Sequence, residues 1–273
     1  MYKEFYGLQE LPFNITSDPN FLFLSKRHKE AFSHLLYGIQ DRKGILEITG
    51  EIGTGKTTLC RALLNRLDDR VRTAIILNPN LSELQLLEAI LEDFDLQLEQ
   101  RTKKVLLSKL NKLLLNLASL GDNAVLIIDE AQNLNRNQLE QIRLLTNLET
   151  EKEKLLQIVL VGQPELREKL ASLKLRQLNQ RISVRYHILP LDKDEIKKYI
   201  DHRLKVAGSD GRIIFSAEAI EEIFTYSNGI PRLINILCDR ALLAGFVLER
   251  MDITYDIIKR CVNELEGRYE YHK

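Results

Sequence analysis

Short continuous apolar runs alternate with amphipathic stretches from about residue 25 to residue 190. The runs are Ile45–Leu46–Glu47–Ile48–Thr49, Thr73–Ala74–Ile75–Ile76–Leu77, Ala124–Val125–Leu126–Ile127–Ile128 and Leu155 to Val161, and the stretch around 182–187 leads a last one. Runs of this length, bounded by turn residues, are what parallel strands buried on both faces require. Between them the apolar positions follow a helical period. Ala31, Leu35, Leu36 and Ile39 form one face behind Ser25; Leu84, Leu87, Ile90 and Leu91 form another behind Ser82. Further helices are expected over Leu59–Leu67, Lys103–Leu120 (stopped by Gly121), Asn135–Asn147 and Leu166–Leu178. From Leu189–Pro190–Leu191 onward the strand pattern is gone. Four helices follow: Asp192–Ala207, Ser216–Ser227, one opened by Ile230–Pro231–Arg232, and Thr254–Glu266. Alternating strands and helices imply an α/β fold with a parallel sheet flanked by helices, and the tail implies a small all-helical lid domain. The expected boundaries are 1–24 for an extended N-terminal segment without regular elements, contributing to the pocket of the core, 25–190 for the α/β core and 191–273 for the lid.

The first run is followed by Gly50–Glu51–Ile52–Gly53–Thr54–Gly55–Lys56–Thr57–Thr58 and then by a helical pattern. Strand, glycine-rich loop and helix form the context of a phosphate-binding P-loop. Small residues let successive N–H groups turn inward into an anion-binding concavity, to which the helix start adds its own unpaired N–H groups and positive dipole end. The loop residues Glu51, Ile52, Gly53, Thr54, Gly55, Lys56, Thr57 and Thr58 are therefore the candidate nucleotide contacts. Lys56 supplies a charge for the β/γ-phosphates, and the Thr57 hydroxyl is a Mg²⁺ ligand candidate.

The run ending at Ile128 carries Asp129–Glu130 at its C-terminal end, where open α/β sheets bind ligands. Asp129 suits a Walker B carboxylate for Mg²⁺. Glu130 is placed to orient and deprotonate an attacking water. The run to Val161 ends in Gly162–Gln163–Pro164. In P-loop ATPases with an additional strand this strand lies between the other two, which aims Gln163 between Lys56 and Glu130. Arg181 and Arg185 flank the start of the last strand. A guanidinium there can reach a neighbouring subunit's nucleotide, the alternative being ion pairing within the chain. Pro231 and Arg232 open a lid helix, and a cation there, opposed to the helix dipole, is expected to face the phosphates.

Charge narrows the partners only slightly. Lys+Arg and Asp+Glu are equal at 39 each, so a nucleic-acid surface could only be local. The basic stretch Lys169–Arg185 is the one candidate. The three cysteines, Cys60, Cys238 and Cys261, have no CxxC spacing, which suits reduced thiols. With neither a spanning apolar run nor a signal-peptide pattern, a cytoplasmic protein is expected, recruited if at all to the inner face of the membrane.

Taken together the motifs resemble the AAA+ ATPases: Gly50–Thr57 as Walker A, Asp129–Glu130 as Walker B, Gln163 at sensor 1, Arg181 or Arg185 as the arginine finger, and Gly229–Ile230–Pro231–Arg232 as sensor 2. Phe5–Tyr6–Gly7–Leu8, Pro12–Phe13, Asp18–Pro19, Leu35–Leu36–Tyr37–Gly38–Ile39, Asp129–Glu130–Ala131–Gln132–Asn133–Leu134 and Leu160–Val161–Gly162–Gln163–Pro164–Glu165–Leu166 narrow this to the ExeA/GspA family. That resemblance implies Mg²⁺-dependent ATP hydrolysis, a nucleotide-dependent homo-oligomeric ring, and assembly or remodelling of a secretion, pilus or exosortase-type envelope complex. The alternative is a DNA-associated helper ATPase of the transposition target-selection type, disfavoured by the neutral charge. Secretion members often continue into a transmembrane helix and a peptidoglycan-binding domain; the sequence up to Lys273 has neither, so either recruitment through an envelope partner is expected or the sequence is a piece of a longer protein. The family's sensor 1 is here a glutamine, where many AAA+ proteins carry asparagine, threonine or serine.

Overall fold

A computed structural model describes residues 1–268. In chain order its elements are α1 (Tyr2–Phe5), α2 (Lys26–Gln40), β1 (Ile45–Gly50), α3 (Lys56–Leu64), β2 (Val71–Ile76), α4 (Glu83–Asp93), α5 (Lys103–Ser119), β3 (Asn123–Ile128), α6 (Arg136–Leu145), β4 (Gln157–Gly162), α7 (Pro164–Ala171), α8 (Arg176–Asn179), β5 (Ile182–Ile188), α9 (Lys193–Val206), β6 (Ile214–Phe215), α10 (Ala217–Ser227), α11 (Pro231–Val247), β7 (Asp252–Ile253) and α12 (Tyr255–Leu265). The chain divides into two compact units. One gathers Met1–Arg27, Ile52–Thr58 and the chain from Leu189 onward; the other gathers His28–Glu51 and Leu59–Ile188.

The second unit is built on a parallel five-stranded sheet in the order β2-β3-β4-β1-β5. Strands β1, β3 and β4 are buried along their whole length, as their continuous apolar runs require. The expected placement of β4 between β1 and β3 is met. Consequently Gly50, Gly162–Gln163 and Asp129 end three adjacent strands on one edge of the sheet. Helices supply the apolar layers: Leu86, Leu87, Ile90 and Leu91 of α4 and Leu106, Leu110 and Leu114 of α5 are fully buried in one core with Leu126, Ile128, Ile158 and Leu160. Each such side chain contributes about 1.5–3 kcal/mol over leaving it in water. The starts of α4 and α6 are fixed by reciprocal capping boxes, Ser82 with Gln85 and Asn135 with Gln138, which satisfy the first unpaired N–H groups.

The helix expected over Leu166–Leu178 is interrupted. Ser172 is extended (φ −63°, ψ 145°), a 3-10 turn covers Leu173–Leu175, and α8 follows. The reason is register. Leu166 and Leu170 share a face, but Leu175 would fall about 140° away from Leu170 on a continuous helix. The break returns Leu175 and Leu178 to the core, where both are buried.

In the first unit the N-terminal segment is a strap over α9 and α11. It was expected to lack regular elements; instead α1 forms one helical turn that presents Tyr2 and Tyr6, four residues apart, to α11. The Tyr2 hydroxyl donates to Asp239 and the Tyr6 hydroxyl to the carbonyls of Leu242 and Arg250. A 3-10 turn, Pro19–Phe21, is capped by Asp18 through the Asn20 N–H at 2.9 Å. The buried Arg203 of α9 donates to the carbonyls of Pro12 (2.5 Å) and Asn14 (3.0 Å) and lies over the Phe21 ring. The C-terminal region is helical as expected, with one addition. β6 and β7 pair in parallel, two residues each, to bury Phe215 and Ile253. Strands this short leave no periodic trace in a sequence. Cys60, Cys238 and Cys261 are buried and unpaired with each other.

Candidate functional site

The expected site residues fall into two groups, one in each unit. In the first unit the loop from Ile52 to Thr58 opens α3 at Lys56. Gly53 (φ 83°) and Gly55 (φ 92°) both adopt the left-handed region, with Thr54 between them fully buried. Two left-handed residues flanking an ordinary one turn consecutive N–H groups to the same side, the geometry of an anion nest. Lys56 is 7% exposed, so its charge is held at the loop rather than in solvent. These features fit a bound phosphate group. Gly53 also meets the start of α11. Its carbonyl accepts the Arg232 N–H at 3.2 Å, and a Cβ added at Gly53 would lie 2.6 Å from the Arg232 Cβ and 3.2 Å from Ile230 Cγ2. Pro231 forms the first turn of α11, where its missing N–H costs nothing. The structure thus brings the backbone of Arg232 to the loop, with its side chain exposed.

In the second unit, Asp129 follows β3 and is 4% exposed, with its N–H on the Ile76 carbonyl and its Oδ1 accepting the Glu130 N–H at 2.9 Å. Glu130 is left-handed (φ 50°, ψ 37°), an uncommon conformation for a residue with a side chain, of a kind that clusters at functional sites. Its Oε2 accepts from Gln163 Nε2 at 3.2 Å and from Gln132 Nε2 at 2.5 Å. The expected neighbours Glu130 and Gln163 are therefore together. Asp129 offers carboxylate oxygens here and Thr57 a hydroxyl in the first unit, each a hard donor of the kind that Mg²⁺ takes.

Two residues of this cluster were not singled out from the sequence. Gln132 entered only as part of a motif, and Lys169 only as one of several basic residues. Lys169 Nζ donates to the carbonyls of Gln132 and Leu134 and pins the turn after β3. A lysine that opens a basic stretch gives no sign of this; Gln132, two residues beyond Glu130, could have been found by asking what orients a carboxylate at a strand end.

The two candidate arginines are tied into their own unit. Arg181 Nη1 donates to Thr146 Oγ1 (2.8 Å) and Asn147 Oδ1 (2.6 Å), both neutral. Arg185 Nη2 donates to the Asn179 carbonyl (2.7 Å) and Oδ1 (2.6 Å), and its Nε lies 3.6 Å from Oε2 of Glu47. Glu47 is buried in the middle of β1, and burial raises its carboxyl above the ordinary glutamate range against the opposing pull of Arg185 and Arg167.

A family model described as an AAA domain matches residues 39–170. General secretion pathway protein A of Aeromonas hydrophila is 48% identical over 269 residues, 98% of this chain. The chain spans about half of that relative, 49% of its length. Among solved structures, the Aeropyrum pernix ORC2 protein (as ADPNP-ADP complexes) is similar with a TM-score of 0.68 at 17% identity, over 96% of this chain and 73% of that one. Cdc6p from Pyrobaculum aerophilum gives 0.69 at 19% identity over 90% and 70%. The Thermotoga maritima RuvB Holliday junction branch migration motor gives 0.58 at 19% over 90% and 72%. At these identities the solved structures establish the fold, a P-loop sheet followed by helices, and nothing finer. No helix among the described residues is long and apolar enough to cross a membrane.

Proposed function

Because this chain belongs with the ExeA/GspA-like AAA+ proteins, we propose that it binds ATP with Mg²⁺ and couples its hydrolysis to assembly or remodelling of an envelope complex. The carrying observation is the Ile52–Thr58 loop, with its paired left-handed glycines and its lysine at a helix start. In this reading the backbone N–H groups of Gly53, Gly55 and Lys56 hold phosphate oxygens, and the Lys56 ammonium meets the β/γ-phosphates. Thr57 and Asp129 hold Mg²⁺, which when bound supplies charge neutralisation to the phosphate oxygens. Glu130 orients the water and takes its proton, with Gln163 beside it. Arg232 supplies a cation from the lid.

Arg181 or Arg185 completes a neighbour's site in a ring. The contacts favour Arg181, whose guanidinium leans on neutral groups, whereas Arg185 is drawn to a buried carboxylate. Of the five basic residues of the stretch Lys169–Arg185, Lys169, Arg181 and Arg185 are engaged within the chain, which leaves the exposed Lys174 and Arg176 to carry the DNA-helper alternative. The envelope partner is proposed from the likeness to the Aeromonas general secretion pathway protein, and the place of action is then the inner face of the membrane.

The test is Glu130→Gln, which keeps the shape of the side chain and loses the base. Nucleotide affinity is expected to stay within about twofold while turnover falls roughly 10²-fold or more. Lost ATP affinity in that variant would mean that Glu130 serves binding instead. Duplex DNA is expected to bind weakly, with affinity that collapses as salt rises; ATPase stimulation by duplex at physiological salt would replace the envelope reading with the DNA one.

A further inference from the structure

We propose that Gln132 is a positioning residue that fixes the rotamer of Glu130 and ties it to the backbone of Gln163. This rests on the reading of Glu130 as the water-activating base.

The inference starts from a closed ring of hydrogen bonds. The Gln163 N–H donates to Gln132 Oε1 at 3.1 Å. That bond fixes which end of the Gln132 amide is which, because only its oxygen can accept an N–H. The opposite end, Nε2, is therefore the donor to Glu130 Oε2 at 2.5 Å. Gln163 Nε2 closes the ring on the same carboxylate oxygen at 3.2 Å. With both amides on Oε2, the second carboxylate oxygen is the one placed to take a proton.

Two features outside the ring serve Gln132 and not Glu130. Lys169 Nζ grips the Gln132 carbonyl and holds the short 3-10 turn Ala131–Asn133. Gly162 leaves the space that the Gln132 amide fills: a Cβ there would lie 2.8 Å from Gln132 Oε1. A glutamate on a left-handed turn at a strand end otherwise keeps rotamer freedom that must be lost before a water can be aligned. The ring removes that freedom in advance. It also couples the tip of β4 to the carboxylate after β3, so that a shift of Gln163 is passed to Glu130 through Gln132.

The experiment measures steady-state ATP turnover and equilibrium nucleotide affinity in the whole chain for Gln132→Ala, Gln132→Glu, Glu130→Gln and the double variant Gln132→Ala/Glu130→Gln. Gln132→Glu keeps the volume and the oxygen that accepts the Gln163 N–H, but replaces the donor with an acceptor. A space-filling role would leave its rate unchanged. Both Gln132 variants are expected to lose about tenfold in kcat with KM and affinity within about twofold, a loss confined to the transition state. The double variant is expected to be no slower than Glu130→Gln alone, because residues that act as a unit are not additive. If Gln132→Ala fails to fold, the isosteric Gln132→Glu decides the matter. Turnover of Gln132→Glu at or above the parent rate, with Glu130→Gln inactive, overturns this proposal alone. Glu130→Gln at the parent rate overturns the assignment of the base, and this proposal with it.

Discussion

The candidate site contains two turns, one in each unit, and they are made in different ways. The loop after β1 is shaped by backbone: glycines at φ 83° and 92°, a buried threonine between them, and a helix that begins on the next residue. The turn after β3 is shaped by side chains. There a glutamate takes the left-handed conformation without a glycine's freedom, and amides from Gln132 and Gln163 together with Lys169 hold it. A turn shaped by backbone has few sequences that can make it. A turn shaped by side chains is assembled from whatever lies nearby in space.

The first turn is broken most completely by Lys56→Ala. The nest remains, but the one buried cation at the loop is gone. ATP affinity and turnover are both expected to fall to the assay background, in contrast to Glu130→Gln, which is expected to lose turnover alone. Titration of a fluorescent ATP analogue against both variants checks this. Hydrolysis by Lys56→Ala at the parent rate would remove the role given to the loop.

This contrast also explains what could be foreseen. The strand–loop–helix turn was visible because the left-handed Gly53 and Gly55 stand where a tight turn needs glycine, and the strand before Asp129 because a strand buried on both faces must be apolar until its last residues. The place of β4 between β1 and β3 followed from the likeness to P-loop ATPases with an additional strand, not from the apolar pattern. The approach of Gln163 to Glu130 was foreseen, but the bonds through Gln132 and the grip of Lys169 on its carbonyl were not, because they join side chains and backbone across separate elements. Nor were the engagements of Arg181 with Thr146 and Asn147. Glutamine and arginine carry no periodicity, and their partners are set by tertiary packing. The break at Ser172 was missed for a related reason: the apolar positions from Leu166 to Leu178 fit a helix until one asks on which side Leu175 must fall.

Arg181→Ala asks whether the second turn's chemistry is complete within one chain. In a ring, loss of a trans arginine is expected to lower kcat on the order of 10³-fold while ATP affinity of the isolated subunit stays near that of the parent. Specific activity of the parent is expected to rise with protein concentration. Mixing Arg181→Ala with Glu130→Gln subunits is expected to recover part of the activity at interfaces that pair both intact residues. Co-assembled mixtures with no recovery would leave Arg181 with only its local bonds to Thr146 and Asn147.

A smaller effect is expected from Gly53→Ala. The methyl group must be accommodated at φ 83° and against Arg232, whose backbone N–H binds the Gly53 carbonyl. Positive φ in a residue with a side chain costs about 1–3 kcal/mol. The result expected is nucleotide affinity weakened roughly tenfold, or about 1.4 kcal/mol, with kcat at saturation changed much less. Glu130 itself shows that a left-handed residue need not be glycine, so affinity equal to the parent's would mean that the close approach of Arg232 is not needed for the grip.

The smallest expected effect comes from Glu47→Gln, on the strand that carries the first turn. It decides whether that strand needs side-chain chemistry at all. Glu47 is 2% exposed, its Oε2 has no hydrogen-bond partner, and the nearest cation, Arg185 Nε, is 3.6 Å away. Burial raises its carboxyl above the ordinary range, with Arg185 and Arg167 opposing. An acid whose folded-state value is raised binds its proton more tightly in the folded state, so its contribution is present below the unfolded value and is lost as pH rises through the folded one. Gln removes that loss and keeps the size. At pH 4 the variant and parent are expected to melt together. At pH 8 the variant is expected to be equal or more stable by about 1 kcal/mol, a rise in Tm of about 2–4 °C for a chain of this size. Melting curves at the two pH values check the sign. A variant that melts below the parent at pH 8, by a margin that widens with pH, would mean that the Glu47–Arg185 pair stabilises the strand on balance, and that the first turn, too, depends on side chains beneath it.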